Sequence, residues 1–328
     1  MQRVAIVGAG LAGLTCARAL QESGFEVVIF EKSRGAGGRL STRRTDAAQY
    51  DHGAQYFTVR DERFSGFVQA RIADGSVAVW QPRLDAKLAQ TVTEPWYVGV
   101  PGMSALGRAQ ASGLDVRTEM RVQSLTREAG AWLLMLEDGG ALDGFERVVV
   151  AVPNAQAVPL LQGVAPQWAE QLQETPMEPC WTLMVSTTDA MTDFDAGLPI
   201  TGAIGWWARN SSKPGRPTEP ERHDWVVQAS SAWTEANLQA AKPDVERELL
   251  LAFARELGVA AIEPVFSPMA HRWLYARRRA GIAAFDEPWF RPDIGLGVCG
   301  DGLAHSRVEQ AYLSGLQLAN SMAVAHSS

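Results

Sequence analysis

The chain has 328 residues, enough for a large core and two domains. Its net charge is −7, its lysines are only Lys32, Lys87, Lys213 and Lys242, and no basic block occurs, which argues against nucleic-acid binding as its main work. Cys16, Cys180 and Cys299 make no C-x-x-C pair, which argues against a redox-active disulfide or a zinc site and fits a reducing compartment.

The first predicted element is the apolar strand Val4 to Val7, followed at once by the turn Gly8-Ala9-Gly10-Leu11-Ala12-Gly13. Leu14, Ala17 and Leu20 then repeat at helical spacing up to Gly24, and a second strand, Val27 to Phe30, ends in Glu31. This is the order of a dinucleotide-binding unit. Gly8 allows the tight turn, Gly10 lets the backbone approach a pyrophosphate, and Gly13 lets the helix pack close to the strand. The helix N-terminus offers free N–H groups and a positive dipole end to phosphates. Glu31, about 20 residues further on, is placed to bind a ribose, with Lys32 beside it.

After Glu31 come Lys32 to Ala36 and then Gly37-Gly38-Arg39. On these residues the chain resembles the flavin-containing amine oxidase and phytoene desaturase superfamily. The resemblance implies FAD, with Gly38 on a loop along its pyrophosphate and Arg39 helping to neutralise it. Asp51-His52-Gly53-Ala54-Gln55-Tyr56-Phe57 lies where that family passes beneath the flavin ring, and in detail it is similar to the renalase branch and its bacterial relatives. Asp61 to Ala73 reads as a helix, and Val77 to Trp80 and Trp96 to Val98 read as strands. Pro101 to Leu106 resembles the family turn that starts a helix on the way back into the FAD domain. Asp115 to Leu125 reads as one half-buried strand, in which the resemblance gives Val122 an adenine contact. Ala131 to Leu136, Gly139-Gly140 and Phe145 read as a hairpin, and Arg147 to Pro153 as a buried strand returning to the FAD sheet.

From about Pro166 the sequence becomes rich in tryptophan, with strands at Trp181 to Thr187 and Trp225 to Ser230, a loop at Asn210 to Pro220 and a helix at Val245 to Leu257. As a set the tryptophans fit a lid over a flat ligand, although each fits the core equally well. His271 to Ala276 is again similar to the renalase group. Gly295 to Gly300 spells a second G-x-G-x-x-G, but no strand is expected through Arg291 to Ile294, so it is read as a strand leading to Gly300-Asp301-Gly302. The resemblance makes Gly300 and Asp301 flavin contacts, with Val308 and Glu309 opening a last helix whose N-terminus points at the flavin.

The expected fold is α/β: a Rossmann-type FAD-binding domain of the p-hydroxybenzoate hydroxylase and amine oxidase kind, over residues 1–70, 100–165 and 288–328. A second α+β substrate domain, built on an antiparallel sheet, takes 71–99 and 166–287. Amine oxidases of the superfamily place a lysine near the flavin, and none of the four lysines here stands in a matching context. The resemblance of Asp51 to Phe57 and His271 to Ala276 to the renalase group implies a renalase-like activity: an oxidase with non-covalent FAD that takes a hydride from isomeric dihydronicotinamide dinucleotides and passes electrons to O2, giving H2O2. Amine oxidation or desaturation of another small molecule, and a non-catalytic flavin redox sensor, are the alternatives. Phe57, Arg60, Trp96, Arg272 and Trp273 are the expected substrate residues, and no metal is expected. No apolar leader precedes the first strand and no run is long enough to span a bilayer, so the expected location is the cytoplasm, without membrane or nucleic-acid partners.

Overall fold

β1 (Arg3–Val7) and β2 (Glu26–Phe30) bury apolar side chains on both faces, as parallel strands covered by helices do. α1 (Leu11–Glu22) joins them and turns Leu14, Ala17 and Leu20 inward. In this computed structural model, residues 2–199, 201–219, 221–285 and 288–327 are described. β3 (Arg43–Arg44) and β4 (Gln49–Tyr50) form a short hairpin. α2 (Glu62–Ala73) is capped by Asp61, whose carboxylate accepts from the Arg63 N–H at 2.9 Å. β5 (Val77–Trp80) and β6 (Trp96–Gly99) pair antiparallel around the single-turn α3 (Ala86–Ala89), and α4 (Ser104–Ala111) follows.

The stretch expected as one strand from Asp115 to Leu125 is two. β7 (Asp115–Arg117) joins the first sheet beside β2, while β8 (Val122–Glu128) pairs with β9 (Ala131–Leu136), which pairs with β10 (Ala141–Phe145). The chain breaks between them at Glu119, whose φ is 59°, a left-handed conformation that no strand holds. β11 (Arg147–Val150), α5 (Asn154–Leu161) and α6 (Pro166–Gln173) follow.

β12 (Met177–Thr187), β13 (Ala196–Gly197), β14 (Ile204–Arg209), β15 (His223–Ala229), α7 (Ser231–Ala236), α8 (Lys242–Leu257) and β16 (Met269–Arg278) make the Trp-rich part. Its strands form one antiparallel sheet in the order β13-β14-β15-β12-β16. β17 (Trp289–Arg291), β18 (Leu296–Val298) and α9 (Val308–Ser327) close the chain. The first sheet runs β17-β18-β11-β1-β2-β7, parallel except for β17. Of Arg291 to Ile294, where no strand was expected, only Arg291 belongs to one, the end of the antiparallel edge strand β17; a turn follows it, so the second glycine run is not a second dinucleotide unit.

α9 packs against α1 through Gly315, where a side chain would strike the Ala12 carbonyl. α8 covers one face of the antiparallel sheet, burying Trp181, Trp207, Trp225 and Phe253 together. α6 packs in the core of the first sheet, with Ala169 and Leu172 against the cluster of β1, β2 and β11. We therefore propose that the second domain begins with β12 and not at residue 166.

Candidate functional site

A groove of about 1970 Å³ runs from the Gly8 to Ala12 turn, past Arg39 and Asp301, to Trp206 and Trp273. That exceeds the roughly 300–1,000 Å³ of an ordinary small-molecule site, so it has space for a dinucleotide and a second molecule. At the first end, Glu31 is 7% exposed and accepts from the Ala9 N–H at 2.8 Å with one carboxylate oxygen and from the Ser33 N–H at 2.8 Å with the other. Both bonds fix its direction and leave lone pairs for hydroxyl donors. Ala9 therefore serves the site by orienting Glu31 and is itself fully buried. Gly13 does not line the groove; a Cβ there would strike the Gly8 carbonyl oxygen and meet the Ala151 Cβ at 3.1 Å, so the glycine lets α1 start close against the ends of β1 and β11.

Gly10 lines the groove, and a Cβ added there would meet nothing within 4 Å; at Gly300 the nearest atom would be 3.9 Å away. Side chains at these two positions would project into open groove, so the glycines keep it clear. Arg39 and Asp301 form an ion pair, and Arg39 also donates to the Ala276 carbonyl at 3.1 Å, tying the first sheet's loop to β16. Leu11, Lys32, Gly38, Val122 and Val308 line the groove as well. Lys32 donates to Gln156 at 2.8 Å. Glu309 also borders it, and its Oε1 accepts from the Arg60 and Asp61 N–H groups at 2.6 and 2.9 Å. Trp206 lines the groove with its buried indole N–H lacking a partner among the described residues. An open glycine cradle, an acid oriented for hydroxyls and an unpartnered donor suit a dinucleotide.

The middle of the site rests on Asp51, which is fully buried. One of its oxygens accepts from Thr42 Oγ1 at 2.7 Å and the Met103 N–H at 2.9 Å; the other faces Arg216 and, at 3.5 Å, the Lys213 ammonium. Burial alone would push this carboxyl up, but Lys213 and Arg216 outweigh it and hold it below its usual range. Arg216 also donates to the Gly99 carbonyl at 2.6 Å, and Lys213 to Gln55 Oε1 at 3.2 Å. Gln55 in turn donates to the Asp51 and Gly53 carbonyls. One carboxylate thus fixes the His52 to Phe57 loop, β6 and the start of α4 in one arrangement. Burial, only partly offset by Asp51, pushes Lys213 down to about 8. None of the four lysines stands in a matching sequence context, yet the fold brings Lys213 against Gln55 of the His52 to Phe57 loop. Sequence spacing could not show this, because Lys213 is far along the chain in the Asn210 to Pro220 loop.

At the far end the pleat of β16 sorts its side chains, since alternate residues face opposite ways. His271 and Trp273 meet His52, with ring centroids 4.8 and 5.2 Å from its imidazole, and Trp273 donates its indole N–H to the His52 carbonyl at 2.8 Å. Arg272 turns the other way. It borders the groove, but its guanidinium lies over the buried Trp181 ring and donates to the Leu238 carbonyl at 2.5 Å, so it is not the free substrate contact expected. Trp96 is corrected too: it is 4% exposed, does not line the groove, and stacks behind Tyr56 at 3.9 Å between centroids. Tyr56 and Phe57 do line it, although the Phe57 ring packs with Phe64 and Tyr97. Arg60 lies at the groove, paired to Glu94 at 2.5 Å. Burial, with His271 and Arg43 adding to it, pushes His52 down to about 3, and burial with Arg43 and Lys242 pushes His271 down to about 4. Both imidazoles are neutral at neutral pH. Burial raises the Tyr56 phenol, and it raises the groove-lining Cys180 thiol to about 11.

Comparison with known proteins agrees with this geometry. Residues 6–70 match the NAD(P)-binding Rossmann-like domain, and residues 72–323 match the flavin containing amine oxidoreductase family. Two curated relatives match over short stretches: a zeta-carotene-forming phytoene desaturase from Myxococcus xanthus, 42% identical over 52 residues, and an L-amino acid oxidase from Cerastes cerastes, 51% identical over 45. Those stretches are 16% and 14% of this chain and only 10% and 9% of the relatives. The fold is also that of cyclohexylamine oxidase from Brevibacterium oxydans IH-35A, with a TM-score of 0.75, 13% identity and 100% of both chains covered. An Exiguobacterium sp. 255-15 chain whose name proposes a protoporphyrinogen oxidase superposes with a TM-score of 0.79, at 12% identity over 98% of this chain and 99% of that one. Among the described residues no helix is long and apolar enough to cross a membrane. The second family match takes in most of the sequence, including the antiparallel sheet and the last helix, and with it the chain belongs to the flavin-containing amine oxidoreductase family, with FAD as its cofactor.

Proposed function

We propose that the protein is a renalase-type oxidase: it takes a hydride from isomeric dihydronicotinamides, the non-4-dihydro forms of NAD(P)H, gives NAD(P)+, and passes electrons to O2 to form H2O2. The observation that carries this reading is the charge of the groove. Eleven of its lining residues are Lys or Arg and five are Asp or Glu, in a chain whose acidic residues outnumber its basic ones by 37 to 30. A cleft of that sign favours anionic dinucleotides, FAD and a dinucleotide substrate alike.

FAD, when bound, supplies the electron acceptor and the route to O2. Gly10, Glu31, Gly38, Arg39, Val122, Asp301 and Val308 are the residues proposed to hold it. Non-covalent binding agrees with Cys299, which is buried outside the groove, and with Cys180, which is held as a thiol. The chain's own part is to bind and orient. His271, Trp273 and Tyr56 present flat, uncharged rings against which a nicotinamide can stack without a protonation requirement. A dihydronicotinamide is already a hydride donor, so no residue has to remove a proton first, and two neutral imidazoles agree with that.

Lys213 favours a second reading, amine oxidation, because it puts a buried amino group with a pKa of about 8 under the Gln55 loop. The two readings separate in one assay. Aerobic protein is given either borohydride-treated NAD, which contains the isomers, or a panel of primary and secondary amines, and H2O2 is measured. Peroxide from the isomers alone supports the first reading; peroxide from an amine and none from the isomers replaces it with the second.

A further inference from the structure

The arginines that line the groove fall into two kinds. Arg39, Arg60, Arg121 and Arg277 each have a carboxylate partner: Asp301, Glu94, Glu137 and Glu178. Arg34, Arg43, Arg44, Arg108, Arg272 and Arg307 have none among the described residues, and of these Arg44 and Arg108 stand out. Instead both converge on one hydroxyl, with Arg44 donating to Ser104 Oγ at 3.1 Å and Arg108 at 2.8 Å. All three residues line the groove. Arg43, the neighbouring residue on β3, also lines it, and its charge reaches His52 and His271.

Two guanidinium groups held on one oxygen repel each other, and burial together with Arg44 already lowers the pKa of Arg108. An anion between them would relieve that repulsion, and a guanidinium fork matches phosphate oxygens in pairs. The proposed cofactor site has its own phosphate cradle at the Gly8 to Gly13 turn and its own arginine, Arg39. Arg44 and Arg108 line the same groove as the neutral rings of His271 and Trp273, and Gly107, the residue before Arg108, packs on Gly37 of the Gly37 to Arg39 loop.

We propose that Arg44, Arg108 and Ser104 form a phosphate site that holds a phosphate group of the dinucleotide substrate while its ring lies against His271 and Trp273. This rests on the renalase-type reading for the identity of the substrate, but not for the existence of the anion site. The site makes a dinucleotide a better substrate than the same dihydronicotinamide ring carried on an uncharged group.

The test uses FAD-loaded protein, wild type and the Arg44→Gln/Arg108→Gln double variant, with Arg247→Gln/Arg255→Gln on α8 as the control for lost charge. Inorganic pyrophosphate is titrated into the oxidised proteins by calorimetry. The affinity falls about tenfold or more in the Arg44/Arg108 variant, since a charge-assisted hydrogen bond contributes roughly 1.5–3 kcal/mol, and changes little in the control. In anaerobic reduction by the dihydro-NAD isomers, the dissociation constant rises by a similar factor, while that of an N-methyl dihydronicotinamide isomer stays the same. Equal pyrophosphate affinity in all three proteins overturns the site. Loss of FAD from the Arg44/Arg108 variant also overturns it, by assigning the arginines to the cofactor. If pyrophosphate binds as described but no isomer reduces the wild type, the anion site stands and the renalase-type reading alone falls.

Discussion

The two ends of the groove are built by different means. The end near α1 is made of backbone: glycines that leave space, N–H groups at a helix start, and one acid, Glu31, held by the Ala9 and Ser33 N–H groups. The middle and far end are made of side chains drawn from distant segments. Asp51 gathers Thr42, Met103, Lys213 and Arg216, and His52 meets His271 and Trp273. A backbone site needs a short, contiguous pattern and tolerates variation around it. A side-chain site needs partners fixed in space, so each partner carries more of the stability.

Asp51→Ala tests that contrast with the largest expected effect. It leaves Lys213 and Arg216 buried without their counter-charge, and breaking a buried pair costs about 3–5 kcal/mol. Urea unfolding should show a loss of that order, and a loss under about 1 kcal/mol would mean that the hub does not organise the site. Trp96→Leu comes next. Trp96 is core behind Tyr56, so the variant should lose about 2–4 kcal/mol of stability, with little direct loss of substrate contact. Trp273→Leu is the counterpart: a weaker substrate dissociation constant with a smaller stability loss. If Trp96 changed substrate binding more than Trp273 did, the groove would have to be redrawn.

Glu31→Ala should act in the opposite sense to Asp51→Ala, costing FAD affinity more than stability. Its loss removes the charged acceptors for the ribose hydroxyls, about 1.5–3 kcal/mol, or roughly tenfold to a hundredfold in FAD dissociation. Unchanged FAD affinity would remove Glu31 from the site.

The smallest effect is one of pH. The folded pKa of Lys213 is lowered from 10.5 to about 8. Between those values the unfolded chain holds a proton that the folded chain has released, so stability from this group rises with pH across the window and is lost as pH falls through about 8. Unfolding free energies of wild type and Lys213→Met, compared at about pH 7 and about pH 10, should show the wild type gaining on the variant at the higher value. Parallel curves would place Lys213 in contact with solvent.

The same division explains what was legible in the sequence. Gly8 to Gly13, Glu31 and Gly37 to Arg39 fall within forty residues in fixed order, so the fold class and the cofactor could be read from them. Lys213 and Arg216 could not be joined to Asp51, because nothing local links residue 51 to the loop that follows β14. The side-chain directions on β16 follow from its pleat once its register with β12 is known; before that, Arg272 and Trp273 look equally able to face a ligand. Asp115 to Leu125 misled for a similar reason. Val116 and Val122 alternate correctly within each strand, and only Glu119 shows that they belong to two different sheets.

The measurement that bears most directly on the account is anaerobic mixing of FAD-loaded protein with the dihydro-NAD isomers in borohydride-treated NAD, following the flavin absorbance and the nucleotide product together. The account predicts rapid bleaching of the flavin with one NAD+ formed per flavin reduced, and colour restored on admitting O2. A flavin that stays oxidised with every isomer but bleaches with an amine would contradict it.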